Sequence, residues 1–118
     1  MKTLVLGASL NPSRYSNRAV KLLRVYQHEV IAVGRDEGSI DEVKIKHSFT
    51  VDDKIDTVTV YLSQEHQKQY YEKIVAAKPR RIIFNPGAEN SELEKIAQAN
   101  GILSEEACTL VLLNTNQY

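Results

Sequence analysis

The chain has one cysteine, no tryptophan, three prolines and five glycines in 118 residues. A lone Cys108 excludes an intrachain disulfide framework, and none is needed in a reducing compartment. No run reaches the roughly eighteen apolar residues of a membrane span, and the N-terminus passes straight into a strand rather than a leader. The expectation is a soluble cytoplasmic protein. Charge of one sign is also missing, since fifteen basic residues balance fifteen acidic ones. Broad attraction to nucleic acid or to a membrane surface therefore has no basis. Metal chemistry is poorly supplied: His28, His47 and His66 are scattered without an i,i+4 pair or a cysteine partner. No G-x-S-x-G elbow, Walker lysine or carboxylate dyad stands out.

What is present is an ordinary globular composition, long enough for one domain spanning 1–118. Strand-like and helix-like segments alternate. Thr3–Leu6, Glu29–Val33, Thr57–Leu62 and Arg81–Phe84 read as strands, and a short fifth one begins at Ile102–Leu103. Val43–Ile45 is a short alternating piece in a polar connection. Ala19, Leu22, Leu23 and Tyr26 recur at helical spacing. A second helix runs from about Glu65 to Lys78 with Tyr70, Tyr71, Ile74 and Ala77 inward, Ser63 as N-cap and Pro79 beyond its end. Ser91–Glu94 has capping-box spacing and opens a third helix, with Leu93, Ile96 and Ala97 inward, that stops at Gly101. Leu110–Leu113 fits a strand or a helical turn, and periodicity does not choose between them. Such alternation implies right-handed crossovers and a parallel sheet covered on both faces, an α/β architecture.

The loops that follow the strands hold the unusual residues. Gly7-Ala8-Ser9-Leu10-Asn11-Pro12-Ser13-Arg14-Tyr15-Ser16 joins the first strand to an amphipathic helix. A small-residue turn of that kind aims backbone N–H groups and the helix's positive end at one place, which suits a phosphate. Asn11, Ser13, Ser16, Arg14 and Arg18 add amide, hydroxyl and guanidinium donors. The helix has three candidate caps, Asn11, Ser13 and Ser16. Ser9 stands where the dinucleotide fingerprint G-x-G-x-x-G has its second glycine, so that motif is absent. Arg35, after the second strand, suits a ligand with an extra ribose phosphate, while Asp36 suits a plain ribose hydroxyl. Asn85 and Gly87 either shape their loop or touch a ligand. His66 reads as solvated and Cys108 as a small buried hydrophobe. A plain βα turn, without a ligand, is the structural alternative for the first loop.

The first loop, together with Val30–Val33, resembles the opening of the CoA-binding domain family, small domains similar to the N-terminal domain of the succinyl-CoA synthetase alpha subunit. Asp56–Leu62 and Asn85–Asn90 are similar to the family's third and fourth strand edges. The resemblance implies a Rossmann-like three-layer sandwich with a five-stranded parallel sheet and coenzyme A across its carboxyl edge. It implies that Ser9, Asn11, Ser13, Arg14 and Tyr15 face the CoA phosphates, with Gly7 and Ser16 in the same cofactor-binding loop, and that Gly34 and Arg35 flank the 3′-phosphate side. Tyr61, Leu62 and Ser63 would border the nucleotide, with Asn85, Pro86 and Gly87 nearer the pantetheine. Departures are Gly34-Arg35-Asp36 where relatives carry Asn-Pro and a basic residue, a last strand with less apolar character, and the greasy Thr109–Leu113 segment, suited to a terminal helix or a dimer surface. The synthetase's phosphohistidine belongs to a second domain, so ligase activity does not carry over. The expected function is binding of CoA or acyl-CoA without catalysis, with a separately encoded enzyme or a second copy as partner. The rival expectations are an NAD(P)-binding module of an oxidoreductase or redox sensor and a ligand-free interaction domain.

Overall fold

A computed structural model describes residues 2–118 of the chain. Its elements are β1 (Lys2–Leu6), α1 (Tyr15–Val25), β2 (Glu29–Val33), β3 (Ser39–Ile40), β4 (Val43–Lys46), β5 (Thr57–Val60), α2 (Gln64–Gln67), α3 (Tyr71–Ala77), β6 (Arg81–Phe84), α4 (Ser91–Ala99), β7 (Leu103–Glu106) and α5 (Thr109–Asn114). The strands form one seven-stranded sheet in the order β3-β4-β2-β1-β5-β6-β7. Every pairing is parallel except the β3–β4 hairpin at one edge. The α/β Rossmann-like class thus holds, and the five-stranded count is corrected to seven. The additional strands are short. β4 pairs with β2 only through Ala32–Ile45 and Val33–Lys46 and buries Ile45 alone, too little to stand out from its polar flanks.

Strand alternation decides how the sheet is covered. Leu4, Leu6, Val58, Val60, Ile82 and Phe84 point to one face, an apolar layer closed by Ile74 of α3, Leu93 and Ala97 of α4, and Phe49 and Ile55 of the connection before β5. A fully buried Leu, Ile or Phe contributes about 1.5–3 kcal/mol, whereas an exposed pair such as Lys2–Glu29 adds about 0–1 kcal/mol. This face holds the fold together. The opposite face lies under α1 and α5, with Val5, Ala32, Val20, Leu23 and Leu113. Here β1, β5 and β6 place Thr3, Thr57 and Arg81 in register. Arg81 Nε donates to Thr57 Oγ1 at 3.1 Å, and its guanidinium stacks 4.5 Å from the Tyr118 ring centroid. The Tyr118 hydroxyl meets the Thr3 hydroxyl in turn. Arg81 Nη1 also donates to the half-exposed Glu105 carboxylate at 3.4 Å, so this buried cation is held by stacking, a hydroxyl and one ion pair together.

Helical spacing located the inward residues well, except that Tyr26 is exposed. The second helix is not continuous. A 3-10 turn over Lys68–Tyr70 separates α2 from α3, and Lys78 ends α3 in the left-handed conformation just before Pro79. Leu110–Leu113 lies in a helix, α5. The α1 N-cap is Arg14 rather than Asn11, Ser13 or Ser16, and α4 is capped one residue early, by Asn90.

Candidate functional site

β1 sits at the point where the strand order reverses. Its α1 crossover leads to β2 on one side, while β5 lies on the other. Beyond the carboxyl ends of such strands the loops part and leave a crevice. A cleft of about 450 Å³ opens there. Gly7, Ser9, Arg14, Tyr15, Ser16, Gly34, Arg35, Tyr61, Leu62, Ser63 and Pro86 line it, all of them expected from the sequence. Asp36, weighed above for a ribose hydroxyl, lines it too, and Ala8, Val33, His66, Gln69 and Tyr70 line it without having been expected.

Asn11, Ser13, Asn85 and Gly87 stand outside this lining, each for a visible reason. Asn11 Oδ1 accepts from Ser13 N–H at 2.9 Å, a local turn that occupies both residues. Asn85 is buried, and its Nδ2 donates to Thr59 Oγ1 at 2.6 Å and to the Val60 carbonyl at 2.9 Å. Its Oδ1 accepts from Thr109 N–H at 2.9 Å, so this side chain ties β6 to β5 and to the start of α5. Gly87 N–H donates to Glu89 Oε1 at 2.9 Å.

The first loop works differently from a simple cradle of amides. Gly7 and Ala8 both donate to the Val33 carbonyl, at 2.8 and 2.9 Å, and so turn away from any ligand. Leu10 N–H donates to Asp36 Oδ2 at 2.9 Å, and Ser9 Oγ–H reaches the same oxygen at 3.3 Å. Asn17 Nδ2 holds the Ser9 carbonyl at 2.9 Å. A Cβ on Gly34 would stand 2.2 Å from the Ala8 carbonyl oxygen, so only glycine allows the loops after β1 and β2 to approach this closely. Gly7, at φ +100°, has Leu62 packed against it from the far wall.

Donors for an anion come instead from the start of α1. Arg14 is extended at the N-cap, makes no side-chain cap hydrogen bond, and no acid occupies the first turn. The unsatisfied amides and the dipole of an eleven-residue helix therefore face a cleft that also holds Arg14 and Arg35. The acid in the cleft, Asp36, has one oxygen committed to the first loop.

The opposite wall is set by buried polar groups. Gln67 is fully buried; its Nε2 donates to the Leu62 and Ala88 carbonyls, both at 2.8 Å, and its Oε1 accepts from Asn90 Nδ2 at 2.9 Å. One side chain thus clamps the loop after β5 to the loop after β6. Burial pushes the Tyr61 phenol up, beside the hydroxyls of Thr59 and Thr109. Tyr70 stacks on Phe49 with centroids 6.1 Å apart. The 3-10 turn after α2 brings Gln69 and Tyr70 to the cleft, a break that the helical spacing does not announce. His66 is exposed yet belongs to the cleft wall, and Ser63 Oγ stands 2.8 Å from its Nδ1. Cys108 is half-buried at the N-cap of α5. Among the described residues, no group of three or more His, Cys, Asp or Glu is placed to hold a metal ion, and no helix is long and apolar enough to cross a membrane.

Comparison with known proteins agrees with this fold. An uncharacterized protein of known crystal structure is 42% identical, with a TM-score of 0.95 over 99% of this chain and 97% of that one. A Thermus thermophilus protein, cell-free ID.343, has the same fold at 20% identity and a TM-score of 0.87, covering 99% of this chain and 90% of that chain. A dinucleotide-forming acetyl-coenzyme A synthetase of Ca. Korarchaeum cryptofilum, solved with phosphate and ADP, matches at 19% identity and a TM-score of 0.69. That match covers 87% of this chain and 25% of the synthetase, and it shows the fold. Among curated proteins, none matches the chain. The sequence model of the CoA binding domain matches residues 1–114, and the chain belongs to that family.

Proposed function

We propose that the chain is a stand-alone coenzyme A or acyl-CoA binding protein, a single cytoplasmic domain that carries no catalysis by itself. The observation that carries this reading is the open start of α1, uncapped and without acids, facing a cleft with two arginines. A diphosphate there meets the helix's amides and Arg14, while Arg35 at the end of β2 takes the ribose 3′-phosphate. Ser9, Tyr15 and Ser16 border the diphosphate, Gly34 lies beside the 3′-phosphate, and Tyr61, Leu62 and Ser63 flank the nucleotide, with Pro86 toward the pantetheine. Each charge-assisted contact contributes about 1.5–3 kcal/mol. A separately encoded enzyme is the expected consumer of the bound thioester, in keeping with a fold that recurs as a quarter of a synthetase.

The rival NAD reading would place a ribose hydroxyl on Asp36, whose Oδ2 already accepts from Leu10 and Ser9 and whose Oδ1 alone is left for it, whereas NADP would use Arg35 as CoA does. Thermal shift against CoA, dephospho-CoA, NAD and NADP separates the possibilities. CoA at one hundred times its Kd should stabilise the protein by about 2.7 kcal/mol, with dephospho-CoA weaker and the nicotinamide nucleotides silent. A larger shift with NADP would reverse the assignment, and no shift with any of the four would favour an interaction domain.

A further inference from the structure

Coenzyme A is longer than the cleft that the proposed function gives it. Its phosphorylated nucleotide makes up about two thirds of its non-hydrogen atoms, and the cleft's volume of about 450 Å³ lies in the lower half of the roughly 300–1,000 Å³ that small-molecule sites span. The lining comes from the loops after β1, β2 and β5 and from α2 and the turn behind it. After β6 it ends at Pro86, which is exposed.

Beyond Pro86 the sheet edge keeps its donors for itself. Gly87 N–H donates to Glu89 Oε1 at 2.9 Å and Ala88 N–H to the Asn85 carbonyl at 2.8 Å. Ala107 N–H, past the end of β7, donates to the Phe84 carbonyl at 3.1 Å, and Thr109 N–H to Asn85 Oδ1 at 2.9 Å. What this rim shows to solvent is carboxylate. Glu89 is exposed beside Gly87, and Glu106 stands in register with Phe84 on the neighbouring strand, about 4.8 Å across the sheet. Glu94 of α4 completes the group. Its hydrogen bond, together with the charge of Glu89, holds the Glu106 carboxyl above the usual carboxylate range. Lys95 follows Glu94 by one position and so turns about 100° away around the helix.

We propose that the cleft holds the nucleotide end alone and that the thioester arm leaves past Pro86 and Glu89, so that the chain accepts neutral acyl groups of any length and disfavours those ending in a carboxylate. This inference rests on the coenzyme A reading above. With its amides spent, the rim has little to offer an acyl chain, and length goes unread. A negative charge on that chain meets the carboxylates of Glu89, Glu94 and Glu106 across water, a repulsion that salt screens. The selected class is thioesters of CoA with neutral acids, their acyl groups presented outward.

Calorimetry of CoA, acetyl-CoA, octanoyl-CoA and malonyl-CoA with the full chain and with Glu89→Gln/Glu106→Gln tests this. Both positions are exposed, and glutamine at 89 still offers Gly87 N–H an acceptor. CoA, acetyl-CoA and octanoyl-CoA should bind the full chain with one affinity. Malonyl-CoA should bind about two- to threefold more weakly than acetyl-CoA at about 0.01 M ionic strength, where charges act over about 30 Å, and equally at about 1 M. The double variant should close that gap at low salt. A clear preference for one neutral thioester, or malonyl-CoA binding as tightly as acetyl-CoA at low salt, would overturn this inference and leave the coenzyme A reading standing. So would a malonyl deficit that the double variant keeps. Binding of none of the four ligands by the full chain would remove both.

Discussion

α1 and α4 both start just beyond the carboxyl end of a strand, and they start in opposite ways. Asn90 caps α4 by accepting from Leu93 N–H at 3.2 Å, with Glu92 and Glu94 in the first turn against the helix's positive end. A cap of this kind contributes about 1 kcal/mol and an acid near the dipole about 0.3–1 kcal/mol. α1 has neither and places Arg14 and Arg18 there instead, against the local interest of the helix. The contrast shows which helix end completes itself and which stays open. α4 is a structural terminus. Under the proposed function, the start of α1 is the seat for an anion.

The largest expected effect breaks the completed end. Asn90→Ala removes the cap and leaves buried Gln67 Oε1 and the Tyr71 hydroxyl without their shared partner. A loss of about 2–4 kcal/mol in urea unfolding is expected, with CoA affinity changed far less than stability. A loss under about 0.5 kcal/mol, the size of an ordinary surface change, would show that the two ends do not differ as described. Next in size is Arg14→Ala, which should weaken CoA binding by about 1.5–3 kcal/mol in calorimetry while urea unfolding stays the same. Undiminished affinity would take Arg14 out of the site. The smallest effect sharpens the comparison. Arg14→Asp gives α1 the cap that α4 has, so the free protein should gain about 0.5–1 kcal/mol as binding disappears. A protein that instead loses stability would mean that Arg14 holds the loop in place.

Legibility in the sequence followed the physics of each signal. β1, β5 and β6 are continuous apolar or β-branched runs and could be read directly. β7 could be read only as a start, because Leu103-Ser104-Glu105-Glu106 is an exposed edge with no face pattern to follow. The α5 segment was ambiguous because four apolar residues in a row satisfy both periods. For the cleft, residue types picked out the first loop and Arg35, and the family resemblance supplied Gly34, Tyr61, Leu62, Ser63 and Pro86 of the lining. They were not enough to tell where a donor is spent. Nothing local marks the Val33 carbonyl as the acceptor for both Gly7 and Ala8, or turns Asn85 inward toward Thr59 and Thr109. Those outcomes depend on partners more than twenty residues away.

The stitch between the first two loops has a consequence for how the cleft is entered. Val33 O, Asp36 Oδ2 and the bare Cα of Gly34 fasten both loops into one rigid lip. The backbones of the two loops that carry Arg14 and Arg35 are thereby tied to each other, while both side chains stay exposed. Under the proposed function, that tie lowers the loop ordering that a ligand with two negative groups has to impose on arrival.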